Sequence, residues 1–422
     1  MKTRYLIIGS SHAGLSAAEE IRMNDREGSL TMVTREDILP YSPTILPYII
    51  SGKVSPDQIR LRDNAYFKKN RIRFVKGKAV TRVDPKKSAV TLSDGRRVGY
   101  EKLLIATGAE PTIPQVENLP NVPFLELRTM ADALRHRDML RKGKTAGVMG
   151  TGLVGMHAAE NFVSRGMQVH VVRARPKKNP RVLPNYFDDE CSGMIQDVFE
   201  AHGVKFYLEN HAVRVDSGQN KIELSLHDGK KLRVDILLVC TGVAPRIEFL
   251  TDSEVDADQG ILVDRKMKTS VDNVWAAGDV AQADDFFGGS RILNAILPDA
   301  VAQGKIAGAN MSGGHLDSDY EGGISMNTFN FFGHRAFSIG LHSAENGKHY
   351  TVDREVLPSA HVYQKTIFQG DVLVGASGIN IDLDPGIIMN LIKRKVALKD
   401  EKAEFVSNRV NMSRRLMWKL WR

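Results

Sequence analysis

Two glycine-spaced stretches carry the chemistry that residue type makes easiest to read. Gly150-Thr151-Gly152-Leu153-Val154-Gly155 has every glycine of the pattern G-x-G-x-x-G in place. In that pattern the first glycine permits a tight turn, the second lets a ligand approach the backbone, and the third lets helix and strand pack closely. Gly9-Ser10-Ser11-His12-Ala13-Gly14 has the same spacing, with Ser11 at the middle glycine. Serine there keeps the side chain small and adds a hydroxyl donor. Each stretch would aim unpaired backbone N–H groups and the positive end of a helix dipole at an anionic group, which suits a pyrophosphate. A third feature, Gly278-Asp279, closes the apolar run Val274-Trp275-Ala276-Ala277. A carboxylate held at a strand end needs donors, and taken alone this one reads as a turn residue.

These motifs require a strand before and a helix after. Residues 5–8 read as a buried parallel strand, 15–23 as a helix and 30–33 as a second strand. Thr34 and Arg35 occupy the place where an acidic residue would receive ribose hydroxyls, and Glu36 follows as the shifted candidate. The loop 39–48 is punctuated by prolines yet too apolar for a linker. Residues 72–105 alternate as short strands with a turn at Ser93-Asp94-Gly95, and a buried strand closes on Thr107-Gly108. The plan then repeats. A strand opens at Ala146, a helix runs through Val163, and a strand covers 168–172. Short strands from 204 turn at His227-Asp228-Gly229, and a buried strand ends in Cys240-Thr241-Gly242. Residues 5–108 and 146–242 are thus an internal duplication. Beyond it, 298–309 read as a helix containing Gln303 and Gly304, and 386–397 as an apolar-basic helix.

Composition narrows the classes. A chain of 422 residues implies two or three domains. The net charge of +8 is scattered, without a basic arm interleaved with aromatics, so nucleic acid is not an expected partner. Two cysteines, Cys191 in a polar helical stretch and Cys240 in an apolar run, exclude a disulfide framework, a C-x-x-C motif and an in-chain cluster needing four thiolates. No apolar run is long enough to span a membrane, and Lys2 and Arg4 precede too short a run for a signal peptide, so a cytoplasmic location is expected.

Two dinucleotide stretches, a Thr-Gly after each and a later Gly-Asp together resemble the FAD-dependent pyridine nucleotide-disulfide oxidoreductase superfamily, in its branch with rubredoxin and ferredoxin reductases, NADH oxidases and coenzyme A-disulfide reductases. The resemblance covers roughly residues 3–395. It implies an α/β fold with two Rossmann-like dinucleotide-binding domains and a C-terminal α+β interface domain. Residues 1–112 and 248–320 would hold FAD, 113–247 NAD(P), 321–400 would form the interface domain and 401–422 a basic amphipathic tail. By the same resemblance FAD would meet Gly9, Ser11, His12, Ala13, Gly14, Glu36, Pro43, Thr107, Gly108, Gly278 and Asp279. NAD(P)H would meet Gly150, Gly152, Leu153, Val154, Gly155, Arg173, Arg175, Thr241 and Gly242.

The departures from the family pattern are informative. Members that reduce disulfides or peroxides carry a cysteine where Thr44 stands, and a hydroxyl forms neither a mixed disulfide nor a sulfenic acid. Tyr48 and His157 replace a lysine and a glutamate common in that branch, and are expected to flank the stacked nicotinamide and flavin rings; the competing reading of His157 is a satisfied helix histidine. Tyr48, His157 and Thr44 are therefore the catalytic candidates. Arg173, with Arg175, Lys177 and Lys178 behind it, replaces the acidic residue that reads the NAD ribose, which suits the 2′-phosphate of NADP and leaves the coenzyme as NAD(P)H.

The resulting expectation is an FAD-dependent NAD(P)H oxidoreductase that moves electrons to or from an iron–sulfur partner on another polypeptide. It would be a subunit of a hetero-oligomeric complex, such as an aldehyde or 2-oxoacid oxidoreductase, or a rubredoxin or ferredoxin reductase. Two alternatives remain. The first is a membrane-surface NADH:quinone reductase using the tail, where Phe405, Trp418 and Trp421 lie among Arg409, Arg414, Arg415, Lys419 and Arg422. The second is a flavin-bound module for protein or nucleic acid interaction.

Overall fold

The computed structural model describes residues 1–141, 143–176, 180–218, 221–314, 319–344 and 350–420. They form two compact units. One comprises residues 1–111, 128–130 and 243–323, the other residues 112–127, 131–242 and 324–422.

The first unit opens with β1 (Lys2–Ile8), α1 (His12–Asn24), β2 (Leu30–Val33), α2 (Leu46–Ser51), β3 (Ile72–Val75), β4 (Val80–Asp84), β5 (Ala89–Leu92) and β6 (Arg97–Ile105). Its sheet runs β3-β2-β1-β6-β5-β4, and the strand Val274–Ala276 pairs with β6. Register decides what this sheet can do. Ile8 lies opposite both Val33 and Ile105, and Ile105 lies opposite Ala276. Four parallel strands therefore end on one line, and Gly9, Thr34, Ala106 and Ala277 all leave from it. The carboxyl edge of an open parallel sheet is where such folds place ligands.

Local sequence explains these elements. All four residues of β2 are buried, Leu30, Met32 and Val33 with the small Thr31 between them, which is why the strand is mostly apolar. Each of the three apolar side chains taken from water contributes about 1.5–3 kcal/mol. α1 starts at His12, earlier than the apolar pattern suggested, because Leu15 N donates to Ser11 O at 2.9 Å. α1 crosses the helix Leu297–Ser312 at very short range. A Cβ on Gly304 would lie 2.3 Å from Ala13 O, and one on Gly308 2.6 Å from Ala17 O. In the same helix Gln303 Oε1 accepts from Gly278 N at 2.8 Å, which ties down the Gly-Asp turn. The proline-rich loop is more ordered than its composition implied, since α2 forms there and stops at Gly52 with φ 77°.

The second unit repeats the parallel plan. Met149, at the end of the strand Thr145–Met149, faces Val172 on one side and Val239 on the other. The helix Leu153–Ser164 follows the glycine turn. The short strands expected after residue 204 form as Ile222–Leu226, Lys231–Val234 and Ile236–Val239, preceded by a longer one, Val204–Ser217, whose register shifts after Tyr207 and after Ala212. The C-terminal portion is an antiparallel sheet in the order Met326–Phe331, His334–Gly340, Val372–Ile379, Val362–Gln369, Tyr350–Leu357. The helix expected over 386–397 is Pro385–Lys393: Lys395 takes φ 49° and Val396 N turns back to Leu391 O.

The tail also departs from expectation. It forms two helices, Lys402–Ser407 and Arg409–Leu420, broken at Asn408. Phe405, Met412 and Leu416 are buried, and the Phe405 ring meets Phe368 edge-on at 6.1 Å. Arg409 donates to both oxygens of Asp353 at 3.0 and 2.9 Å. Phe405 thus packs on the sheet of its own unit, which removes its apolar area from water, whereas Trp418 stays 57% exposed. Trp421, Arg422, Lys177, Lys178 and the side chain of Lys419 lie outside the described residues. No helix among the described residues is long and apolar enough to cross a membrane.

Candidate functional site

At the carboxyl edge of the first unit lies a cleft of about 890 Å³, lined among others by Gly9, Ser11, Glu36, Pro43, Thr107 and Gly108. The strand ends bring these residues together. Gly9 takes φ +112°, and a Cβ there would stand 2.0 Å from Ala106 O, so only glycine lets β1 turn under the loop that carries Thr107. Ser11 is the N-cap of α1 without a side-chain cap, which leaves the first-turn amides available to a ligand. Gly14 packs against Gly9 O and completes the turn. Thr107 Oγ1 donates to Arg246 O at 3.1 Å, fixing the loop beside the cleft.

Three side-chain arrangements around this cleft were not legible in the sequence. Tyr41 donates to the Glu36 carboxylate at 2.9 and 3.1 Å, while its oxygen accepts from Met130 N at 3.0 Å. Burial, with Glu36 adding to it, drives the Tyr41 phenol far above its ordinary pKa. Arg128, which lines the cleft, pairs with Asp279 at 2.9 Å. His12 Nε2 is 3.1 Å from Ser42 Oγ, which is 2.9 Å from Thr44 Oγ1. Burial holds the His12 imidazole below its ordinary pKa, Asp279 acting against that shift and Arg62 with it. Tyr41 and Ser42 had been read only as part of an apolar loop, and Arg128 carried no motif.

In the second unit Gly150 takes φ +136°, with Cys240 O 2.3 Å from where a Cβ would stand. Gly152 caps the helix, with Leu153 and Val154 in its first turn, and Gly155 closes on Gly150 O. Thr241 Oγ1 donates to Thr112 O at 2.8 Å, and Gly242 O accepts from Thr112 N at 2.9 Å. Arg173 ends its strand only 7% exposed, with Nη1 donating to Leu208 O at 3.0 Å. Its Nη2 is buried without a hydrogen-bond partner among the described residues. The guanidinium expected to meet a 2′-phosphate thus braces a neighbouring strand, while Arg175 is exposed. The His157 ring meets Phe329 edge-on at 4.7 Å, the packing of a helix histidine. Tyr48, in the first unit, is half-buried with Lys53 Nζ 5.9 Å from its ring centre.

Neither cysteine presents an activated thiol. Cys191, expected on a polar helix, is fully buried, and burial pushes its thiol well up. Cys240 Sγ packs against the Gly150 turn and donates to Met149 O at 3.5 Å, its pKa pushed up by burial to about 12. Thr44 stands exposed where a redox thiol would be required.

Comparison with known proteins agrees with this architecture. The family model described as pyridine nucleotide-disulphide oxidoreductase matches residues 3–304. The chain is 41% identical over 421 residues to the epsilon subunit of NADH-dependent phenylglyoxylate dehydrogenase from Aromatoleum evansii, covering 100% of this chain and 98% of that one. It is 33% identical over 319 residues to an NADH oxidase from Methanocaldococcus jannaschii, covering 74% of this chain and 70% of the relative. Among solved structures, the covalent putidaredoxin reductase–putidaredoxin complex superposes with a TM-score of 0.84 at 21% identity, over 94% of each chain. That likeness bears on the fold, an α/β two-dinucleotide-binding reductase fold.

Proposed function

The chain belongs to the pyridine nucleotide-disulphide oxidoreductase family, and on that premise we propose that it is the nucleotide-reacting subunit of a larger redox assembly, exchanging electrons between NADH and an iron–sulfur protein. It is a flavoprotein oxidoreductase that uses FAD and NAD(P)H. When bound, FAD supplies the chemistry, exchanging a hydride with nicotinamide and single electrons with a partner.

The residues of the first unit fit the dinucleotide. The Gly9 turn, where a Cβ has no room, presents the uncapped start of α1 to a pyrophosphate. Glu36, steadied by Tyr41, would receive ribose hydroxyls, and Asp279 would receive those of the ribityl chain. On this reading residues 1–112 and 248–320 are the FAD-binding domain, 113–247 bind the nicotinamide nucleotide, and 321–400 with the tail form the interface portion. The position of Arg173 supports NADH over NADPH, because its guanidinium is already committed to Leu208 O.

One observation carries the assembly reading: the likeness to a dehydrogenase subunit runs the full length of the chain, tail included. Thr44 supports it, since without a thiol at that position electrons must enter or leave the flavin directly. An iron–sulfur protein accepts the single electrons that a flavin can release one at a time. Purifying the untagged protein from its native source tests the proposal. The expected result is a yellow chain in fixed ratio with iron-containing chains. Isolation as a single chain that reduces rubredoxin or ferredoxin would favour a free carrier, and a colourless chain would overturn the account.

A further inference from the structure

Oxidising NADH with one-electron acceptors has a fixed proton balance. The C4–H bond of the nicotinamide breaks, its electron pair leaves in two single steps to two oxidised iron–sulfur centres, and one proton must reach solvent. In the opposite direction one proton must enter. The cleft of the first unit needs a route for it, and we propose that His12, Ser42 and Thr44 form a proton relay from the flavin cleft to solvent. The inference rests on the electron-transfer reading above.

The geometry is continuous. His12 Nε2, Ser42 Oγ and Thr44 Oγ1 are linked at 3.1 and 2.9 Å. His12 is half-buried, Ser42 is 4% exposed and Thr44 is open to solvent, so the chain ends at the surface. Sequence neighbours of the chain line the cleft: Ser11, which precedes His12, and Pro43, which stands between Ser42 and Thr44. A hydroxyl can accept on one side while donating on the other, and a neutral imidazole offers one N–H and one lone pair, which is what a relay requires.

Burial, more than the charges near it, favours the neutral form of His12. Burial disfavours the imidazolium most, Arg62 acts in the same direction, and Asp279 opposes them. Each of those charges has its own partner, Arg62 in Glu19 at 2.5 Å and Asp279 in Arg128 at 2.9 Å. A thiol at residue 44 would interrupt the relay with a weak donor. Threonine keeps a hydroxyl there.

Stopped-flow measurement of proton release with a pH-indicator dye, in the flavin-loaded full chain with NADH and ferricyanide as the one-electron probe, tests this. Ser42→Ala should slow proton release about 100-fold, the lower end of what positioned proton transfer contributes. Thr44→Val should slow it in the same direction, and Thr44→Ser should restore it. In the flavin-free full chain, NMR titration should find His12 titrating below the ordinary imidazole value, with its Nε2 resonance displaced by Ser42→Ala. Unchanged proton release in both Ser42→Ala and Thr44→Val overturns the relay while leaving the electron-transfer reading intact. Absence of NADH–ferricyanide turnover in the wild type overturns that reading and the relay with it.

Discussion

Arg128 donates from Nη2 to Asp279 Oδ2 at 2.9 Å, joining residues 151 positions apart in the chain. The carboxylate proposed for the ribityl hydroxyls is therefore already satisfied by a cation that itself lines the cleft.

Asp279→Ala should weaken FAD binding by roughly 10- to 100-fold, the range for losing a hydrogen bond to a charged acceptor. Arg128→Ala should change it by less than about 10-fold, since the carboxylate then needs other donors but remains present. Flavin fluorescence titration of the deflavinated protein measures both. An Asp279→Ala protein that binds FAD as tightly as wild type removes this residue from the site.

The glycines of the two turns should separate structure from binding. Gly9→Ala should cost on the order of 3 kcal/mol, because a left-handed φ and a backbone oxygen both oppose a Cβ there. Gly152→Ala should leave the melting temperature nearly unchanged, since nothing lies within 4 Å of its Cβ position and φ is −83°. It should instead weaken nucleotide affinity, by standing where a pyrophosphate must approach. Calorimetry and NADH titration on the two variants distinguish the outcomes.

Arg173→Ala should destabilise the second unit by about 1.5–3 kcal/mol, the value of a hydrogen bond to a charged group. The ratio of kcat/KM for NADH to that for NADPH should remain within about 3-fold of wild type, since the side chain is spent on Leu208 O. A collapse of NADPH turnover alone would restore Arg173 to phosphate recognition.

Asp188 sets an acid limit on the same unit. It accepts from Tyr363 at 2.6 Å, Lys365 at 2.8 Å and Cys191 N at 3.1 Å. Burial alone would raise its carboxyl, but the bonds from Lys365 and Tyr363 outweigh it and hold the pKa below the ordinary value. A depressed folded-state pKa contributes stability that is complete above the unfolded value of about 3.9 and lost as pH falls through the folded one. Chemical denaturation from about pH 4 downward should show a steeper loss in wild type than in Asp188→Asn.

The fold was largely legible because its signals are local. A fully buried parallel strand is mostly apolar on both faces, as in β1 from Tyr5 to Ile8. A strand turning sharply into a helix needs glycine where Ala106 O or Cys240 O comes close. Such constraints act within a few residues, so the spacing at Gly9–Gly14 and Gly150–Gly155 determined by itself that the chain carries two dinucleotide turns. Only the tertiary structure decided the fates of Arg128, Ser42, Arg173 and the tail. In isolation Arg128 carries no motif, Ser42 belongs to an apolar loop, Arg173 suits a 2′-phosphate and the tail reads as an amphipathic stripe. Their partners, namely Asp279, His12, Leu208 O and the sheet around Phe368, come from other segments, and burial and hydrogen bonding are settled by whichever surface the fold brings near.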